Sequence, residues 1–347
     1  MNFDIVIATR NRSEALKLSI PLILKQGRKP NKLIIVDASD DSNGIKKIID
    51  GLVVDSQIKY EYIVSDMANS SRQRNLGLER VESPIVMFPD DDSLWWPDHS
   101  EAIMRIYERD MNRDIGGICG TGTNACPPDM NLVTDDILSV KIHNMIARLY
   151  IRFTSRFFPD PLMAFGRSCW GVRPAPNFLK DEKAVLVEWM GGFRMTFRSE
   201  IIKKYRFNED LGAVIGWAAC EDIEASFAVL QESLLVAAHD AKVYHYKKTG
   251  TRSVGDKLAF ITHFNRAYVL WRYAPKTFYT RFMIWRYLIY RLLIHTLKSY
   301  SRFERERICG LLQAMRMIKE LFNESDENLR SRYLDLCKTI IPRKCDL

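Results

Sequence analysis

"SPIVMFPDDD" (residues 83–92) is a near-continuously apolar segment that runs directly into three aspartates, and "SLWWPDH" follows it to His99. Apolar residues without alternation mark a strand buried on both faces, as in a parallel sheet sandwiched between helices. Three adjacent carboxylates at its mouth repel one another. They form either a solvated turn or a place where a cation belongs. Upstream, "FDIVIAT" (3–9), "KLIIVDAS" (32–39) and "KYEYIVS" (59–65) are strands of similar form. Helix patterns separate them. The first runs through Ala15, Leu18, Ile20 and Leu22 to end near Gln26 and Gly27, and "IKKIIDGLV" follows the "DDSNG" turn cluster. "SSRQRNLGLERV" completes the set, with Ser70 or Ser71 expected as its cap. This alternation predicts an α/β fold, a mainly parallel sheet covered by helices on both faces.

In such sheets ligands bind beyond the carboxyl ends of the strands. The polar residues gather at those ends: Thr9-Arg10-Asn11, Asp37, Asp66 and Asp90-Asp91-Asp92. A strand end is polar simply because it leaves the core, but that does not explain why this set is so acidic. No GxGxxG and no GxxxxGK[ST] occurs in this half, so phosphates need another holder. A divalent cation on hard carboxylate oxygens, Mn²⁺ or Mg²⁺, would serve by bridging a diphosphate.

Beyond residue 119 the pattern is less legible. "HNMIARLYIRFTSRFF" reads as a helix, and the Pro- and Gly-rich "PDPLMAFGRSCWGVRPAPN" as a long loop. "EWMGGFRMTFRSEII" reads as Gly-Gly leading into a strand and a helix. "GWAACEDIEASFAVLQESL" places Glu221 and Asp222 at a helix start, and "LLVAAHDAKVYHYK" reads as a strand pair with His245 near its end.

The 347 residues, 47% apolar and 27% charged, are ordinary for a globular chain with a sizeable core. The N-terminus lacks the basic, apolar and small-residue regions of a signal peptide, so a cytoplasmic location is expected. The seven cysteines include no CxxC pair and are expected as reduced thiols. Between Arg266 and Arg316, eleven Lys or Arg stand against two Glu, a surplus that exceeds the whole chain's +8. A basic stretch so localised suits an anionic surface.

"VIATRNR", "VDAS", "RNLGL", "DDD" with "WWPD", "GGFRMTFR" and "CEDIEASF", in this order over residues 3–250, resemble the inverting glycosyltransferases of family 2, which have the GT-A fold. The resemblance implies a nucleotide-diphosphate sugar donor, a Mn²⁺ or Mg²⁺ cofactor, and a glycan or lipid-linked acceptor. It places Thr9 and Arg10 near the nucleobase, Asp37 as an acceptor from it, and Arg74 near the nucleotide. Asp92 would be the metal ligand, with Asp90 and Asp91 dividing the remaining contact, and His245 would complete the metal site or touch the diphosphate. Gly191 and Gly192 would let backbone approach the donor sugar. Asp222 would be the general base and Glu221 its structural companion, with an acceptor contact open to Glu221 and Trp217. Trp95 and Trp96 are expected as core.

The expected division is a GT-A domain over 1–265 and a basic, aromatic-rich helical extension over 266–347. "RFMIWRYLIYRLLIHTLKSY" (281–300) is interrupted by arginines and does not read as a transmembrane span. Arg281, Arg286 and Arg291 fall ~140° apart on a helical wheel and ring it. "ERICGLLQAMRMIKELF" is cleanly amphipathic, with Ile308, Leu311, Leu312, Met315, Ile318 and Phe322 on one stripe. Together these two helices suggest peripheral docking on the inner face of the cytoplasmic membrane, in surface polysaccharide or glycolipid synthesis, with packing on the core or a dimer interface as the alternatives. A sugar nucleotidyltransferase would show a "GxGTR"-like loop, which is absent. A nucleic-acid-binding protein would leave the acidic strand ends unexplained, so no nucleic-acid partner is expected.

Overall fold

The computed structural model describes residues 1–128, 130, 174–214, 216, 218–246, 255–297 and 302–339. The helix and most of the loop expected between residues 131 and 177 lie outside them, as does Trp217. The chain divides into two compact units. One comprises Met1–Val133, Arg173–Glu209 and Glu221–Thr249, and the other Thr134–Val172, Asp210–Cys220 and Gly250–Leu347.

The first unit is built on one sheet. Its elements in chain order are β1 (Phe3–Thr9), α1 (Ser13–Leu24), β2 (Lys32–Asp37), α2 (Ser42–Val53), β3 (Lys59–Val64), α3 (Ser70–Leu78), β4 (Ile85–Phe88) and β5 (Ser93–Trp95). There follow α4 (His99–Arg109), β6 (Ile115–Thr123), β7 (Ala184–Leu186), β8 (Met195–Arg198), α5 (Ser199–Tyr205), α6 (Glu221–Leu230) and β9 (Leu234–His245). The strand order is β3-β2-β1-β4-β8-β6-β9-β5, with β7 paired to β9. The half β3-β2-β1-β4 is parallel, as its unbroken apolar strands require. Strand β8 enters antiparallel between β4 and β6, so the whole sheet is mixed.

Successive strand residues alternate between two cores. Ile5, Ile7, Leu33 and Ile35 pack with Leu16, Ile20, Ile49 and Ile103 on one face, whereas Val6, Ile34 and Val36 pack with Leu78, Ile202 and Val229 on the other. Helix α3 rides close to the sheet at Gly77, where a Cβ would lie 2.3 Å from Val6 Cγ1. Asn69 caps α3, accepting from the N–H groups of Ser71 and Arg72, so the cap lies one position before the expected serines. Helix α1 ends at Leu24, short of Gln26.

The expected strand pair at 234–246 is instead one twelve-residue strand, β9. An irregularity in its pairing with β6, between Ala237 and Lys242, lets its two halves serve different neighbours. Residues 236–238 pair with β7 and 243–245 with β5.

The second unit is helical: α7 (Gly255–Tyr273), α8 (Phe278–Leu297), α9 (Arg302–Leu321) and α10 (Asp326–Lys338). Helix α7 is its centre, with Phe260, Phe264, Tyr268 and Trp271 buried. Helix α9 crosses it at Gly310, where any Cβ would meet the Asp256 carbonyl at 2.0 Å. Of the expected stripe on α9, Leu311, Ile318 and Phe322 are buried and Leu312 is exposed. Tyr333 of α10 stacks on Tyr268 at 4.0 Å and donates to Asn265 Oδ1 at 2.7 Å. Cys119, Cys126 and Cys337 are free thiols.

Candidate active site

Strands β1, β2 and β4 are hydrogen-bonded neighbours, so their carboxyl ends open onto one edge of the sheet. Thr9 donates its hydroxyl to Asp91 Oδ2 at 2.8 Å. Asp91 also lies 3.2 Å from the Arg12 guanidinium. Burial pushes the Asp91 carboxyl up to about 7, against the opposing pull of Arg12 and Thr9.

Asp92 is 1% exposed. Its Oδ2 accepts from Arg12 at 2.5 Å, and its Oδ1 is buried with no aligned hydrogen-bond donor. Nε2 of His245 lies 3.0 Å from that Oδ1, inside ion-pair range but off the hydrogen-bonding direction. Burial raises the Asp92 carboxyl, but His245 and Arg12 together outweigh it and hold it below the usual carboxylate range. The register of the sheet brings His245 here: β5 and β9 pair Ser93 with His245, and the Tyr246 N–H donates to the Asp92 carbonyl at 2.9 Å. Phe193 stacks on the imidazole at 4.6 Å with 8° between the rings, and the Ser93 hydroxyl donates to the Phe193 carbonyl.

Potential ligand atoms of Asp90, Asp92 and His245 all lie within 4.8 Å of one another. Two carboxylates and an imidazole nitrogen so grouped form a donor set that suits a divalent cation. The residues present therefore fit such an ion, with Asp90 grouped beside Asp92 and Asp91 turned toward Thr9 and Arg12.

On the adjoining side, Arg74 of α3 is buried and bridges two elements. It donates to Glu221 Oε1 at 2.7 Å and to Asp90 Oδ1 at 2.8 Å. Asp222, beside Glu221 at the start of α6, accepts from the backbone N–H groups of Gly192 and Ile223, both at 2.9 Å. Burial raises both carboxyls of this pair. A Cβ on Gly192 would meet Arg74 and Asp222 only at 3.7 Å, an ordinary contact, and Gly191 has φ of −75°. Neither glycine is demanded by its backbone. What they do is bring main chain up to Arg74 and Asp222.

Other expected residues lie further out. Asp37 is buried, with Oδ1 receiving the Ser39 N–H and hydroxyl and Oδ2 the Tyr62 hydroxyl at 2.5 Å. Arg10 is exposed, 3.8 Å from Asp40. Asn11, at a φ of 54°, ties the two loops together by donating to Asp40 and Ser39 and accepting from the Asp40 N–H. Trp95 is core, stacked on His99 at 4.4 Å, and Trp96 is half-buried under Lys242. Arg12 and Phe193 were not singled out by the sequence reading. Arg12 stands inside the quoted "TRNR", and its spacing from the end of β1 was the available signal. Phe193 carried none, because its partner His245 is distant in sequence.

Residues 4–154 match the family described as glycosyl transferase family 2. Among solved structures, S. aureus TarS 1-349 in complex with UDP-GlcNAc superposes with a TM-score of 0.54 at 12% identity, over 98% of this chain and 91% of that one. The mannosyltransferase PcManGT from Pyrobaculum calidifontis, in complex with GDP-Man and Mn²⁺, gives 0.52 at 11% identity, over 97% and 86%. No curated protein matches the chain in sequence. The family match over residues 4–154 and the two superpositions agree on the GT-A fold, and the sheet, flanking helices and C-terminal helical part are those expected of it.

Proposed function

We propose that this enzyme moves a sugar from a nucleotide-diphosphate donor to a hydroxyl of a glycan or lipid-linked acceptor, with inversion at the anomeric carbon. The reaction takes place at the inner face of the cytoplasmic membrane. The observation that carries the reading is the grouping of Asp90, buried Asp92 and His245, with Asp92 Oδ1 3.0 Å from His245 Nε2. Those three residues would hold Mn²⁺ or Mg²⁺, which would supply Lewis-acid stabilisation of the departing diphosphate. The ligands bound in the two similar structures, sugar nucleotides and in one case Mn²⁺, agree with this donor class.

The chain's own groups divide the remaining work. Arg12 and Thr9 hold Asp91 and Asp92 in place, which would leave one oxygen of Asp92 available to a cation. Arg74 keeps a positive charge beside the diphosphate path while pairing with Asp90 and Glu221. Asp37, Thr9 and Arg10 border the nucleobase end, and Gly191 and Gly192 the sugar. Glu221 serves as an acceptor contact.

Asp222 takes the acceptor proton. Removal of that proton by a positioned base contributes ~10²–10⁴-fold, and a carboxyl whose pKa is raised by burial is the better acceptor near neutral pH. Its two backbone donors fix its position. The test is Asp222→Asn, assayed with a panel of UDP-, GDP- and dTDP-sugars. Donor affinity should persist while turnover falls by ~10²-fold or more. Full turnover by this variant would remove Asp222 from the role.

A further inference from the structure

We propose that helix α8 seats the enzyme on an anionic bilayer surface through the exposed stripe Phe278, Phe282, Ile289 and Leu293. This deepens the membrane-face part of the reading above, and it stands on the second unit alone. On the sequence, Arg281, Arg286 and Arg291 ring this helix and deny it an apolar face. The structure separates them.

The four stripe residues are 85%, 48%, 48% and 52% exposed, and at 100° per residue they fall within an arc of ~60°. They extend along roughly 22 Å of helix. Met283, Ile284 and Leu288 occupy the opposite, buried side. Arg291 is turned to that side as well, 3.4 Å from His295, which in turn contacts Glu304 at 2.6 Å. The other two arginines flank the stripe. Arg281 lies over the Trp271 ring at 5.2 Å and donates to the Phe322 carbonyl, and Arg286 lies over the Phe282 ring at 5.8 Å. Lys319 of α9 sits 5.9 Å from the Trp285 ring.

Charge selects the occupant. The twenty residues of α8 contain three arginines and no carboxylate. On the helix packed beside it, Glu304 pairs with His295 and Arg307 and Glu320 with Arg332. A second copy of α8 would set arginine against arginine, because the helix carries no carboxylate of its own. Anionic headgroups supply the negative charge, while Phe, Ile and Leu enter the acyl boundary and Tyr279, Trp285 and Tyr290 suit the headgroup level. The attachment is interfacial: among the described residues no helix is long and apolar enough to cross a membrane.

The test is sedimentation of the full chain with vesicles of phosphatidylcholine, with or without 30 mol% phosphatidylglycerol. Wild type should bind the anionic vesicles at least about tenfold more strongly than the neutral ones, and lose binding in high salt. The double variant Phe278→Ser/Phe282→Ser should lose roughly tenfold or more of that binding with its circular dichroism unchanged, because both side chains are exposed. Met111→Ser, at an equally exposed apolar residue of the first unit, should bind as wild type does. Equal binding by the double variant overturns the proposal, as does failure of wild type to bind. A wild-type dimer dissolved by the double variant would assign the face to a second copy instead. None of these readouts needs sugar transfer, so they fail or succeed independently of the donor chemistry.

Discussion

Replacing Arg74 by methionine removes the cation that ties α3 to both β4 and α6, with little change in side-chain volume. Arg74 is 4% exposed, and its guanidinium makes bonds of 2.7 and 2.8 Å to Glu221 and Asp90. Removing one partner of a buried pair costs ~3–5 kcal/mol, because the other charge is left desolvated. The folding constant should therefore fall by a factor of about a hundred or more. The pH dependence identifies the cause. Burial raises the Glu221 carboxyl and Arg74 opposes that rise. Without Arg74 the folded protein holds a proton that the unfolded chain releases above its pKa of ~4.3. Wild-type Glu221 is already raised to about 7, so both proteins lose stability alike up to that pH. The variant's deficit should widen only above it, by at most ~1.4 kcal/mol per pH unit, so that it is larger at pH 8 than at pH 5. Urea denaturation at the two pH values measures both quantities. A deficit below ~1 kcal/mol, or one unchanged by pH, would refute the idea that Arg74 neutralises this carboxylate.

Away from the site, Arg198 and Asp110 form a pair at 2.8 Å in which both side chains are almost wholly buried. Arg198→Met should lower stability by ~3–5 kcal/mol in urea melts, yet leave donor affinity of the folded protein intact. His99 provides an acid-sensitive element: burial lowers it from 6.5 to about 4, and its Nδ1 faces the Lys242 carbonyl at 3.0 Å. The unfolded chain takes up this proton first. The contribution of neutral His99 is therefore fully present above pH 6.5 and is lost as pH falls toward 4, to a total of about 3 kcal/mol. A His99→Asn variant, which can still donate to that carbonyl, should show a flatter loss of stability over this interval.

How much of this was legible in the sequence depends on how local each feature is. The parallel half was, because strands buried on both faces need uninterrupted apolar runs, and "FDIVIAT", "KLIIVDAS" and "SPIVMF" have them. The gathering of Asp90, Asp92 and Arg74 at one edge follows from the same reading. The position of β8 between β4 and β6, and the seating of His245 opposite Ser93, depend on pairings across distant residues that no local pattern encodes. A single Ala237–Lys242 irregularity turns what reads as two strands into one. Arg12 was overlooked because attention to acidic strand ends says nothing of the cation that neutralises them. On α8 a helical wheel fixes the angles of the arginines, but only packing decides that Arg291 points inward while Arg281 and Arg286 stay at the surface.

The central claim is that Asp92 offers its Oδ1 to a divalent cation that in turn holds the sugar nucleotide. Isothermal titration of the preferred donor into wild type and Asp92→Asn, each with Mn²⁺ and with chelator, tests it directly. The account predicts that Mn²⁺ tightens donor binding by about tenfold or more in wild type and has no such effect in Asp92→Asn, which keeps the weaker metal-free affinity. The same Mn²⁺-dependent tightening in both proteins would contradict it.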